Sequence, residues 1–270
     1  MNRFVFLVLR IFISILLLAS LSACTTAQVS TTKSPVELTV AAAADLQFAF
    51  TEIGALYEQE TGNKVTFSFG STGQLAQQIE NGAPFDLFAA ANISFVDNLA
   101  KKNLVVPDTI ALYARGRIVL AVNRVSDIDA TSLNDLLSEK ITHIAIANPE
   151  HAPYGVAAKE ALQSAGVWEQ VENKIVYGEN VRQALQFVQT GDAQVGIISL
   201  SVANVSEITW SLIDNSLHNP LDQALAVVSS SPHKKEAQSF ATFINGPLGR
   251  PIMQKYGFVL PGESISAPTP

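Results

Sequence analysis

ELTVAAAADLQFAFTEIGALYEQETGNKVTFSFGSTGQLAQQIENGAPFDLFAA, residues 37–90, decides the fold. Residues 37–43 are short, apolar and β-branched, the composition of a strand. Over 46–59 the apolar residues fall at Leu46, Ala49, Phe50, Ile53, Leu56 and Tyr57, the spacing of one helix face, and Asp45 stands where an N-cap belongs. The pattern then repeats as strand 64–69, helix 72–81, strand 86–90 and helix 93–102. Strands that alternate with helices predict a parallel sheet.

Moving outward, 118–123 is a strongly apolar strand, after which the series restarts with helix 132–137, strand 143–147, helix 154–165, strand 174–177, helix 180–189 and strand 194–199. This predicts a second lobe. A further strand at 224–228 and helices at 233–245 and 247–256 are too few for a domain and return to complete the first lobe. The expected fold class is therefore α/β with two lobes, each a mostly parallel sheet flanked by helices, and a ligand cleft between them. The expected bounds are 36–120 with 226–262 for lobe 1 and 121–225 for lobe 2.

Residues 1–23 read as a signal peptide: Arg3 and Arg10 flank or enter an apolar run from Phe4 to Leu21 that ends in Leu21-Ser22-Ala23-Cys24. An uncleaved anchor helix is the alternative, since the run is about long enough to span a bilayer. The lone Cys excludes a disulfide within the chain. Residues 24–35, rich in Thr, Ser and Ala, read as a flexible tether, and 263–270 as a disordered tail. The full chain carries 17 basic and 24 acidic side chains, and loss of Arg3 and Arg10 leaves 15 against 24, or −9. No basic field is available for nucleic acid.

Four strand-to-helix loops line the predicted cleft. Phe69-Gly70-Ser71-Thr72-Gly73-Gln74 offers two hydroxyls and free helix-start N–H groups, which suit an oxyanion; capping the helix is the commoner use of such residues. Asp45 follows four alanines whose small side chains leave the backbone open. The third loop, 148–155, brings Tyr154, whose hydroxyl either enters the cleft or packs, and the fourth, 178–182, carries Arg182, expected to pair with a nearby carboxylate. No Lys lies in these loops, so an anion is held by dipoles and hydrogen bonds. His143, His151, His218 and His233 lack metal-ligand spacing, and His151 with Glu150 reads as a solvated surface pair. There is no nucleophile elbow, P-loop or dinucleotide turn. The residues point to a binder, not an enzyme, with no cofactor and no separate cation site.

The runs VAAAADLQFAF (40–50), FSFGSTGQLAQQIENGAPFDLFAAA (67–91), IANPEHAPYGVAAKEAL (146–162), YGENVRQALQFVQTGDAQVGIISLS (177–201) and INGPLGRPIMQKYGF (244–258) resemble the molybdate-binding proteins of bacterial ABC transporters. The resemblance runs in order from about Leu38 to Phe258. It implies a type II periplasmic-binding-protein fold that closes on molybdate or tungstate and delivers it to a permease and its ATPase. The tetrad ending at Cys24 similarly resembles a lipoprotein box, which implies lipidation of Cys24 and a chain anchored to the cell envelope. Nothing suggests more than a monomer.

By the same resemblance, the family's oxyanion positions fall on Thr72 with Ser71 beside it, on the Val181 N–H, and on Tyr154; Ser199 stands where members lacking that tyrosine often carry another. The departure is Asp45, which falls where many members place a serine. Two unit charges about 4 Å apart repel by about 4 kcal/mol at an effective dielectric of 20, and a dianion doubles this. Three arrangements answer it: the carboxylate turns away to cap its helix, the reading favoured here; it is protonated and donates; or the ligand is another oxyanion. Sulfate, phosphate or a sensor role on the same scaffold are the alternatives. Sulfate has shorter bonds than molybdate and leaves rigid donors too far away, whereas hydrogen phosphate brings a proton that an ionised Asp45 would accept.

Overall fold

The computed structural model describes residues 34–263. The signal peptide, Cys24, most of the tether and the tail beyond 263 lie outside the described residues. Among the described residues no helix is long and apolar enough to cross a membrane.

Two five-stranded sheets form the two lobes. In the first, β1 (Glu37–Ala43) pairs parallel with β2 (Lys64–Gly70) and β3 (Leu87–Ala90), while β10 (Leu221–Val227) pairs antiparallel with β3 and with β4 (Ala111–Gly116). The second repeats the scheme: β6 (Ile144–Ala147) is parallel to β7 (Ile175–Gly178) and β8 (Val195–Ser199), and β5 (Ile118–Asn123) is antiparallel to β8 and β9 (Ile208–Leu212). Parallel neighbours need a crossover helix. β10 and β5 instead enter from the other lobe and arrive reversed. Hence each sheet is mixed, a feature that alternating strands and helices did not disclose.

β5 straddles the expected lobe boundary at 120/121, yet belongs wholly to the second sheet, and β10 belongs wholly to the first. Only Arg117 separates β4 from β5, and its Nε and Nη2 both donate to the carbonyl of Gly257, at 3.0 and 2.8 Å. β4 and β9 were not anticipated. Both are edge strands with outward side chains such as Leu112 and Trp210, which blunt the hydrophobic signal. The helix expected at 132–137 is a 3-10 turn, Leu133–Leu137, set by a Ser132/Asp135 capping box.

The helices are α1 (Gln47–Thr61), α2 (Thr72–Glu80), α3 (Ile93–Lys101), α4 (Pro153–Ser164), α5 (Trp168–Val171), α6 (Val181–Thr190), α7 (Lys234–Ile244) and α8 (Gly249–Lys255). Phe240 of α7 packs against Phe50 and Tyr57 of α1, tying the returning chain to the first lobe. Every residue of β3, β5 and β6 is buried, as expected of strands covered on both faces. Register then places the site. Ala43 pairs with Gly70, and Ala147 with Gly178, so each lobe brings two strand-to-helix loops side by side at its carboxyl edge.

Candidate oxyanion site

These four loops line a small cavity of about 10 Å³, bounded by Asp45, Ser71, Thr72, Tyr154 and Val181, with Ala44, Ala152 and Asn180 between them. It is smaller than the ~300–1,000 Å³ of ordinary small-molecule sites. None of its lining residues is Lys or Arg.

Each loop presents its groups for a local reason. Neither Ser71 nor Thr72 caps α2 through its side chain; Ser71 Oγ lies 2.8 Å from His151 Nδ1, and Thr72 Oγ1 accepts from the N–H of Ala91 at 3.1 Å. At α6 the Asn180 side chain accepts from the N–H groups of Arg182 and Gln183. The Val181 N–H is left out of that cap, and Val181 lines the cavity. Pro153 occupies the first turn of α4, where its missing N–H costs nothing, and Tyr154 follows it almost fully buried.

Asp45 overturns the favoured cap reading. It lies in a buried 3-10 turn, Ala44–Leu46, with no side-chain cap bond there or at α1. Its Oδ2 instead accepts from Tyr154 Oη at 3.0 Å and Gln223 Nε2 at 2.8 Å, while Oδ1 is buried without a protein donor. Burial raises the carboxyl pKa from 3.8 to about 6, although the Gln223 and Tyr154 hydrogen bonds hold it down. Burial, and next the charge of Asp45, push the Tyr154 phenol well above its usual range, so it donates as a neutral group.

Ser199 does not line the cavity. Its Oγ lies 2.6 Å from that of Ser201, which donates to the Asp45 carbonyl at 2.7 Å. A side-chain hydrogen bond links Ser199 to Tyr154, which it supports. The surface-pair reading of His151 also fails: besides reaching Ser71, its carbonyl accepts from the Gly73 N–H at 2.9 Å across the lobes, and its Nε2 is 3.8 Å from Glu179 Oε2. Among the described residues Arg182 pairs with no carboxylate; its Nε donates to Gln47 Oε1 at 2.9 Å and its guanidinium lies over the Phe48 ring. Gln223 was missed outright, although a glutamine inside the apolar run of β10 is itself a signal of a buried polar partner. Among the described residues no cluster of three His, Cys, Asp or Glu would hold a cation.

Two α/β lobes, closed on a small cavity of hydroxyls and helix-start N–H groups, define a solute-binding protein of the type II periplasmic-binding class. The chain belongs to the bacterial extracellular solute-binding protein family, which it matches over residues 38–259. Membership makes it an exported binding protein and not an enzyme. It is 35% identical over 228 residues to the molybdate-binding protein ModA of Rhodobacter capsulatus, covering 83% of this chain and 88% of that protein. ModA of Azotobacter vinelandii is 34% identical over 229 residues, covering 83% and 90%. The solved periplasmic molybdate-binding protein of Azotobacter vinelandii superposes with a TM-score of 0.78 at 27% identity, over 83% of this chain and 99% of that one.

Proposed function

We propose that the protein captures molybdate, and with it tungstate, between its lobes and delivers the ion to an ABC permease driven by its ATPase. The observation that carries this is the convergence of Asp45, Ser71, Thr72, Tyr154 and Val181, from four loops and both lobes, on one small cavity without a cationic side chain. Relatives named as molybdate-binding proteins support the same cargo. In this reading the Ser71 and Thr72 hydroxyls and the Val181 N–H hold ligand oxygens, while Ser199 acts through Tyr154. The first sheet with its helices forms one lobe and the second sheet with its helices the other, and the protein works as a monomer. Cys24, freed by loss of residues 1–23, takes the lipid that tethers the domain through residues 24–35.

Thermal unfolding of the purified protein at pH 7 with molybdate, tungstate, sulfate or phosphate tests the cargo. A ligand at a hundred times its Kd stabilises by about 2.7 kcal/mol. Molybdate and tungstate are expected to raise Tm, with sulfate and phosphate silent; a shift with sulfate or phosphate alone reassigns the cargo. The inward carboxylate of Asp45 gives phosphate a specific claim as the second reading, because hydrogen phosphate would bring a proton for that carboxylate to accept.

A further inference from the structure

Asp45 divides its two oxygens between two tasks. Oδ2 is occupied by Tyr154 Oη and Gln223 Nε2, and the Gln223 amide is itself held by Tyr113, whose hydroxyl donates to Gln223 Oε1 at 2.8 Å. Oδ1 is buried with no protein donor, and Asp45 itself lines the cavity. A carboxylate oxygen accepts only, and so does every oxygen of a fully deprotonated dianion. Such a pair meets only if one proton lies between them. Since Gln223 Nε2 can only donate to Oδ2, that proton belongs on Oδ1.

Resting on the oxyanion reading of this cavity, we propose that Asp45 binds as the carboxylic acid, its Oδ1–H donated to the captured anion, so that one proton enters from solution with each molybdate dianion. The carboxylate gains the proton from buffer or water, and the site gains one positive charge with the two negative ones. No bond of the anion is broken. Asp45 thereby does with a proton what a serine does with its hydroxyl, and the pocket needs no lysine.

Other titratable groups around Asp45 are accounted for. Tyr154 from α4 and Tyr113 from β4 face it as phenols raised well above their usual range, by burial first. Arg182 of α6 is engaged by Gln47 and Phe48, and Glu179 accepts from Gln74 at 2.7 Å. His151 reaches the cavity only through Ser71. A His151 variant therefore serves as the control.

Isothermal titration calorimetry of molybdate into the full protein at pH 7.5, in two buffers of different ionisation enthalpy, counts the protons. The expected result is close to one proton taken up per molybdate, with affinity falling about tenfold per pH unit above neutrality. Asp45→Asn, which carries its own donor, should bind with no uptake and a flat pH profile, while His151→Gln should keep the uptake. Molybdate binding by the unaltered protein without proton uptake overturns the proposal, whether or not the variants fold, and so does unchanged uptake in Asp45→Asn. Binding of phosphate alone, with no proton from solution, overturns it too, since the carboxylate then accepts the ligand's own proton. Failure of all four anions to bind overturns the oxyanion reading itself, a result distinct from binding without a proton.

Discussion

Asp45 carries a cost that solution pH exposes. Its carboxyl titrates near 3.8 when unfolded and about 6 when folded, so the folded state holds a proton that the unfolded state has released. Stability is therefore present at low pH and is lost as pH rises through that window. Urea unfolding should show Asp45→Asn to be more stable than the unaltered protein at pH 8, by up to about 3 kcal/mol, with the gap closing toward pH 4. A gap of constant size across that range would mean the carboxylate is solvated in the folded chain. Gln223 is the quieter partner. It donates to both Asp45 Oδ2 and Tyr154 Oη, so it stitches the lobes at the same point.

At the scale of elements, the strand-to-helix loops were legible because their signals are local: a buried apolar run, a Gly or Asn, then helical spacing. β5 was predicted at its observed bounds, and the loops at 45, 71–72, 154 and 181 converge as their positions at strand ends require. What the sequence did not disclose depends on distant partners. The Asp45 side chain turns inward because Tyr154, 109 residues away, and Gln223, 178 away, supply donors that no local pattern encodes. Likewise His151 became a bridge because the Gly73 N–H needed its carbonyl. The α6 cap tests the local rule. Asn180→Ala should destabilise the chain by about 1 kcal/mol and weaken molybdate binding, because the Asn180 side chain orients the turn that presents Val181 N–H. Normal affinity in a measurably less stable variant would take the Val181 N–H out of the site.

For the whole molecule, capture is a meeting of two faces, and the overall charge does not help it: the acidic body cannot steer an anion inward. Bonds across the lobes do the holding: Tyr154 to Asp45, Ser71 to His151, Gln74 to Glu179 and Arg182 to Gln47. Gly73 permits a close approach of the lobes, since a Cβ there would stand 2.8 Å from the His151 carbonyl oxygen. Gly73→Ala should prop the lobes apart, weaken molybdate binding about tenfold, and reduce the ligand-induced compaction seen by small-angle X-ray scattering. Full compaction with unchanged affinity would show that this loop yields. Finally, because Arg117 alone links β4 to β5 and is fastened to the Gly257 carbonyl, the half-sites never separate far. Each half meets the other at a very high effective concentration, so an ion loosened by one is recaptured before it diffuses away. In the proposed delivery, unloading then requires an external grip that keeps both halves apart long enough for the ion to leave, so that the proposed permease would time its release.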